Sequence, residues 1–302
     1  MKIIPNQQIL SALRCPICHG ELTLSEENEQ GSRSLYCAGK RRHCFDLASS
    51  GYVNLSAPGH ASGGDSKQAV RARTEFLNGE YYRPVAEALR RAVTKYTSST
   101  DGIVVDAGCG EGYYTAGLAR DGFSCLGFDL SKFAVDAAAK RLARDGRAGF
   151  FAVSSVFDMP MKDSCAAAVV NVFAPCVEEE YCRVLREDGC LIVAYAGPDH
   201  LMGLKRAIYD VARGNDGRAD LPGSMELVEE IRVRFDICVE GREQIASLFA
   251  MTPYYWKTSV SDGEKLNQLE RLSTEVDVIL GVYRKNTITN DSKGEDVCRS
   301  RS

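Results

Sequence analysis

No apolar run in these 302 residues approaches the roughly 20 needed for a helix to cross a bilayer, which excludes a helical membrane protein. The N-terminus, Met1-Lys2-Ile3-Ile4-Pro5, lacks the apolar stretch and small-residue cleavage site of a secretory signal, so a cytoplasmic protein is expected. A large basic excess is missing too. The net charge is −4, which argues against a chain that coats nucleic acid without discrimination. No internal repeat is present.

What is present is ordinary in bulk. Hydrophobic residues make up 44% and charged residues 26%, as in a soluble globular protein with a substantial core. The length suits one large domain with a smaller one. Twelve cysteines are many for that length, and disulfides are not expected in a chain of this size without a signal. Cys125, Cys165, Cys182 and Cys190 fall in apolar stretches, where free cysteine behaves as a small hydrophobe. Cys15, Cys18, Cys37 and Cys44 cluster differently. Charge is also uneven: residues 1–100 hold 13 Lys/Arg against nine Asp/Glu, and the remainder holds 24 against 32. A basic front on an acidic body suits an anionic ligand docking at the front.

Residues 1–57 read as a small Cys/His module. A Gly/Ser-rich stretch over 59–66 marks a linker, and 58–100 reads as linker plus helical segment. There, Phe76, Leu77, Val85, Ala88, Leu89, Ala92 and Val93 recur at helical spacing over 71–96, with Pro84 at a first-turn position. From residue 102 the pattern alternates. Strands are predicted over 103–105, 124–129, 148–153, 166–173 and 189–196, with helices over 113–121, 132–145 and 178–186. This alternation predicts a doubly wound α/β fold, a parallel sheet with helices on both faces. A helix over 201–213, strands near 229–239 and 276–283, and a helix over 242–250 carry a domain of residues 101–285 to its end. The polar stretch 286–302 is expected to be disordered.

The most informative segment is Asp106-Ala107-Gly108-Cys109-Gly110-Glu111-Gly112-Tyr113. Glycines at a strand-to-helix turn let the backbone approach a ligand, at the carboxyl edge of the sheet where doubly wound folds bind ligands. Glycine spacing alone would also fit a dinucleotide loop. The acids decide otherwise. Asp106 at the strand end and Glu111 within the loop would repel a pyrophosphate, but suit a ligand with an ammonium and a sulfonium, S-adenosylmethionine. Asp129 closes the next strand, placed to accept hydrogen bonds from ribose hydroxyls. Ser154 and Ser155, after the third strand, are expected near the adenine edge. The expected cofactor-binding residues are therefore Asp106, Gly108, Gly110, Glu111, Gly112, Tyr113, Asp129, Ser154 and Ser155.

Cys15-Pro16-Ile17-Cys18 is a CxxC knuckle, followed by Cys37 and then by His43-Cys44. Four soft ligands in two pairs match a structural tetrahedral zinc site. A module of this size buries too little core to be secure alone, so the metal would stabilise it directly. The second pair usually repeats the short spacing; here five residues separate Cys37 from His43. Spacing thus leaves His43 and Cys44 both open, with His19 less favoured.

Together these residues resemble one family, the bacterial 23S rRNA guanine-N1 methyltransferases that modify hairpin 35. The likeness runs through Cys15-Pro-Ile-Cys18, Cys37, His43-Cys44-Phe45-Asp46, Gly51-Tyr52-Val53-Asn54-Leu55, Gly64-Asp65-Ser66, Ala72-Arg73 and Phe76-Leu77. It continues through 106–115, Phe173-Ala174-Pro175-Cys176, Gly197-Pro198, His200-Leu201-Met202 and Met251-Thr252-Pro253, about residues 12–285 in all. It implies a class I S-adenosylmethionine-dependent methyltransferase, a Rossmann-like doubly wound sheet behind a small N-terminal zinc-binding domain.

The family places its fourth ligand three residues after the third cysteine; this chain has two extra residues within 39–42, and the following Phe45-Asp46 favours His43. Cys15, Cys18, Cys37 and His43 are thus the expected zinc ligands. The resemblance further implies that the zinc module helps to hold 23S rRNA, with Arg33, Lys40, Arg41 and Arg42 as candidate phosphate contacts. It implies a homodimer, whose two modules form an RNA-holding cleft. Some members modulate macrolide-class antibiotic sensitivity.

The implied reaction is attack of guanine N1 on the sulfonium methyl, which requires the base to be exposed and the N1 proton to be lost. His200, Pro175 and Phe173 are the candidate catalytic residues: Phe173 and Pro175 to shape the acceptor pocket or stack on the base, His200 to contact substrate or cofactor. Two other readings compete. A small-molecule methyltransferase would have little use for a basic zinc module, and a non-catalytic RNA-binding protein would not need Asp106, Gly108, Gly110 and Asp129 intact.

Overall fold

The computed structural model describes residues 3–39, 41–57, 64–97, 102–215 and 221–286. The expected linker residues 58–63, Lys40 and nearly all of the polar C-terminal stretch lie outside them. The N-terminal part holds α1 (Gln7–Ala12), β1 (Leu22–Leu24), β2 (Ser34–Cys37), β3 (Cys44–Asp46) and β4 (Val53–Asn54). Asn6 caps α1, its side chain accepting the Ile9 N–H. Strands β1, β2 and β3 form a small antiparallel sheet.

The expected helix over 71–96 is two: α2 (Lys67–Asn78), capped by Ser66, and α3 (Arg83–Tyr96), with Pro84 in its first turn. Gly79 and the positive φ of Glu80 turn the chain between them. Then follow β5 (Ile103–Ala107), α4 (Tyr113–Arg120), β6 (Ser124–Asp129), α5 (Lys132–Asp145), β7 (Gly149–Val153), β8 (Ala166–Val172), α6 (Glu178–Val184) and β9 (Leu185–Ala196). The remainder comprises α7 (Met202–Ile208), β10 (Glu226–Glu240), α8 (Arg242–Ala250) and, last, β11 (Arg271–Arg284). Helix α7 stops five residues short of the expected 213. The chain folds back there, and Lys205 Nζ bonds the Arg213 carbonyl at 2.8 Å.

The main sheet has the order β10-β11-β9-β8-β5-β6-β7-β4. It departs from the expected architecture in two ways. First, it is mixed: β11 runs antiparallel to both of its neighbours. The excursion between β10 and β11 leaves and re-enters the sheet at one end, where Gly241 N bonds Glu270 O at 2.8 Å, so β11 must run back. Second, the two faces are covered differently. Alternate strand residues point to opposite faces. Val104, Cys125, Phe151, Val170 and Ile192 share a core with residues of α2, α3, α5, α7 and α8. Val105, Leu126, Phe128, Phe150 and Leu191 face α6 and the N-terminal module, burying Ile9, Leu13, Leu22, Leu35 and Leu55. The module thus takes the place of covering helices, and β4 adds to the sheet edge in parallel with β7. Among the described residues no helix is long and apolar enough to cross a membrane.

Candidate active site and metal centre

Cys15, Cys18, Cys37 and His43 converge, their ligand atoms all lying within 4.8 Å of one another. The Cys18–Cys37 sulfurs are 3.7 Å apart, and His43 Nδ1 lies 3.5 Å from Cys15 Sγ and 3.3 Å from Cys37 Sγ. Sulfurs bound tetrahedrally at about 2.3 Å would stand about 3.8 Å apart, so the group has the dimensions of a zinc site. Burial works against ionisation of the Cys37 thiol, yet the backbone N–H groups of His43 and Gly39 draw it down to about 6. Cys44, the alternative ligand, is exposed and directs its sulfur to Asp46. The hairpin register decides the matter. Tyr36 opposes Cys44, while Cys37 bonds the His43 carbonyl and receives the His43 N–H on its sulfur. Nearby, the exposed Arg42 lies 4.5 Å over the Tyr36 ring.

The cofactor loop hangs between β5 and β6. Gly108 and Cys109 donate to the Phe128 carbonyl, and Gly112 caps α4 in the left-handed region. Gly110 also has positive φ, and among the described residues only the Arg73 side chain comes within 4 Å of where its Cβ would be. The backbone there is open to a ligand, as a cradle requires. At Gly108 a Cβ would stand 2.5 Å from Ala174 Cβ, so only glycine lets the segment after β8 close on the loop.

Asp106 is 2% exposed and accepts from Thr115 Oγ1. Burial pushes its carboxyl up to about 7 against the Thr115 bond, with Asp129 and Glu111 adding to the rise. Asp129 holds Gly110 N at 3.0 Å on one oxygen and Ser131 N at 2.8 Å on the other. Each oxygen keeps a lone pair for a hydroxyl, which fits the diol of a ribose. Glu111 turns inward, 2% exposed. Its Oε2 lies 3.0 Å from Arg141 Nη2, but without the alignment of a hydrogen bond. The expected ligand-facing acid is thus spent largely within the protein. Tyr113 packs edge-on against Tyr114 beneath the Arg141 guanidinium. Ser154 is buried, its N–H on the Asp129 carbonyl, and Ser155 Oγ accepts from Phe157 N. These residues fit S-adenosylmethionine, with two acids for its positive groups and ribose and an open glycine cradle.

On the acceptor side, Phe173 follows β8 with φ of 55° and remains 46% exposed. A bulky residue in the left-handed region needs its surroundings to hold it there. Its N–H bonds Ala194 O at 3.0 Å. Its ring stacks on His200, with centroids 5.6 Å apart, and leans on Tyr82. Fully buried Asn171 ties the turn, donating to the Pro175 carbonyl and the Tyr181 hydroxyl and accepting from Ala174 N. Pro175 therefore contributes its carbonyl to the turn's support.

His200 reaches the expected edge but is 6% exposed, with both nitrogens engaged. Nδ1 accepts the Asp277 N–H at 3.2 Å, so Nε2 carries the proton, 3.2 Å from the Tyr82 hydroxyl. Burial holds the ring neutral, down to about 4, despite the Asp277 charge. A base needs a free lone pair turned to its substrate. His200 thus has both nitrogens engaged and its ring against Phe173. Sequence reasoning missed Asn171 and Tyr82. A single amide in the apolar run Ala166-Ala-Ala-Val-Val-Asn171-Val was the available signal for the first; for the second there was none.

Two family models match the chain: "Methyltransferase domain" over residues 104–189 and "RlmA, N-terminal" over residues 13–58. A Streptomyces fradiae protein named 23S rRNA (guanine(748)-N(1))-methyltransferase is 31% identical over 258 residues, covering 83% of this chain and 88% of its own. A Micromonospora griseorubida protein is 32% identical, with the same coverage of both chains. A Bacillus subtilis protein is 28% identical over 90% of this chain and 97% of its own. Both carry a provisional assignment as 23S rRNA (guanine-N1)-methyltransferases.

Proposed function

The chain belongs to the 23S rRNA (guanine-N1)-methyltransferase family and transfers the methyl group of S-adenosylmethionine to N1 of a 23S rRNA guanine; we propose that this guanine lies in hairpin 35. The observation that carries this reading is likeness to such enzymes across 83% of the chain, ribbon and methyltransferase domain alike. The hairpin rests on the motif series from Cys15 to Pro253.

Bound S-adenosylmethionine supplies an electrophilic methyl group. The chain's own residues place the acceptor. Phe173, propped by His200 and Tyr82 and anchored through Asn171, offers an exposed ring beside the loop on which an unstacked guanine can lie. Ala174 against Gly108 joins this ring to the cofactor cradle, so base and methyl donor are held next to each other. His200 is neutral with both nitrogens engaged, and burial holds the Tyr82 hydroxyl far above its usual range. Neither side chain therefore takes the N1 proton.

The zinc ribbon, with Arg33, Arg41 and Arg42, grips the RNA backbone as part of a homodimer whose ribbons face each other. The enzyme works in the cytoplasm. Primer extension on 23S rRNA treated with the protein and S-adenosylmethionine tests the substrate, because methylation of N1 blocks base pairing. A stop at one guanine of hairpin 35 is expected. A stop elsewhere, with none in that hairpin, would sink the proposal. Sedimentation of the free protein checks the dimer.

A further inference from the structure

The methionyl end of S-adenosylmethionine carries an ammonium, a carboxylate and a sulfonium. Asp106, at the end of β5, answers its positive groups, while Asp129 is turned to the ribose. A carboxylate placed among Asp106, Glu111 and Asp129 needs a cation, since like charges at such distances repel strongly in a buried setting. Among the described residues two arginines reach the loop. Arg141 is committed: it pairs with Glu111, donates to the Glu111 carbonyl at 3.2 Å and to Asn78 Oδ1 at 3.0 Å, and covers Tyr113.

Arg73 is placed differently. It projects from the second turn of α2, and its Nη1 lies 3.8 Å from where a Gly110 Cβ would stand. Its charge reaches both Glu111 and Asp129. Among the described residues its hydrogen bond runs from Nη1 to Asp65, whose backbone carbonyl accepts from Ser131 Oγ beside Asp129. Asp65 thereby fixes one corner of the guanidinium over the cradle and leaves Nε and Nη2 as donors, on a side chain still 28% exposed.

We propose that Arg73, held by Asp65, binds the methionyl carboxylate of S-adenosylmethionine. This role rests on residues 106–112 being the cofactor loop. It gives the 64–73 segment a task beyond linking two domains: α2 completes the cofactor site from outside the sheet. It also explains a cation set over an acid-rich glycine turn, where a structural ion pair alone would not need to face the open side of Gly110.

Calorimetry with two probes tests it on the full-length protein. One probe is S-adenosylhomocysteine; the other is the same molecule with its carboxylate removed. The wild type should prefer the first. Arg73→Met should weaken S-adenosylhomocysteine by about 10- to 100-fold, the worth of a charge-assisted hydrogen bond or pair of them, and leave the decarboxylated probe unchanged. Arg73→Lys, the gentler variant, should fall between, because a point charge replaces the fork. Equal weakening of both probes by either variant would overturn the assignment and make Arg73 a support for the loop. A wild type that binds neither probe would overturn the loop reading itself.

Discussion

The metal centre and the cofactor loop both hold ionisable groups among apolar ones, and they do so by opposite means. In the ribbon, the ligand atoms of three thiols and an imidazole stand within 4.8 Å of one another beside a sheet of three short strands. The three strands bury little core of their own, and an ion would add cohesion to what the module gains from the core shared with the main sheet. In the loop, Asp106, Glu111 and Asp129 sit at the edge of an eight-stranded sheet with a continuous core on each face. There the fold itself bears the cost of the buried acids, and the cost appears as raised carboxyl pKa values. A small module borrows stability from its ligand; a large one lends stability to its site.

The comparison breaks most visibly if zinc is removed. Replacing Cys37 by Ser should abolish metal binding and cost the ribbon on the order of 10 kcal/mol, read as loss of zinc by metal analysis and of amide protection in β1, β2 and β3. Calorimetry should still detect S-adenosylhomocysteine binding. If that binding disappears too, the ribbon and the sheet are one folding unit, joined through the β4–β7 pairing and the shared core.

The next effect belongs to Asp106. Its folded pKa, about 7, lies above the 3.8 of a free carboxyl. The folded state therefore holds the proton more tightly, and the stability this contributes is full below about pH 4 and lost as pH rises through 7. The difference amounts to about 4 kcal/mol. Asp106→Asn should remove that part of the slope when urea unfolding of the two proteins is compared from pH 4 to pH 8. An unchanged slope would show that the fold does not carry this buried acid as described.

A smaller change is expected on the acceptor side. Phe173→Ala removes a stacking surface worth about 1–3 kcal/mol, so kcat/KM for rRNA should fall by roughly 5- to 150-fold while cofactor affinity holds. His200→Asn should lower the rate without moving the pH profile, since the ring stays neutral above about 4. A shifted profile would restore His200 as a titrating group. The least effect is expected at the ribbon tip. Arg41→Ala should weaken RNA binding modestly and reduce its dependence on log salt by about one unit.

Much of this was legible along the chain, because it depends on short spacings. The loop from Asp106 to Gly112 and the first knuckle, Cys15 to Cys18, each assemble within eight residues, so their geometry follows local backbone rules. The fourth zinc ligand was different. Spacing left His43 and Cys44 both open and only the resemblance favoured His43; the β2–β3 register turns Cys44 outward. Glu111 read as a ligand-facing acid because its partner, Arg141, lies 30 residues away on α5. The spacing that puts His200 at the sheet edge gives no sign that Asp277, on the reversed strand β11, occupies its Nδ1.

By itself the sequence determined the class of chemistry: a glycine turn bearing acids, a soft-ligand cluster, and the alternation of strand and helix that places the turn at a sheet edge. Only the tertiary structure decided which polar groups remain available. It buried Glu111 against Arg141, used both nitrogens of His200, and brought Arg73 over Gly110. The reason is physical. Backbone geometry propagates over a few residues, whereas desolvation and charge pairing depend on whatever the fold packs alongside, however distant in sequence.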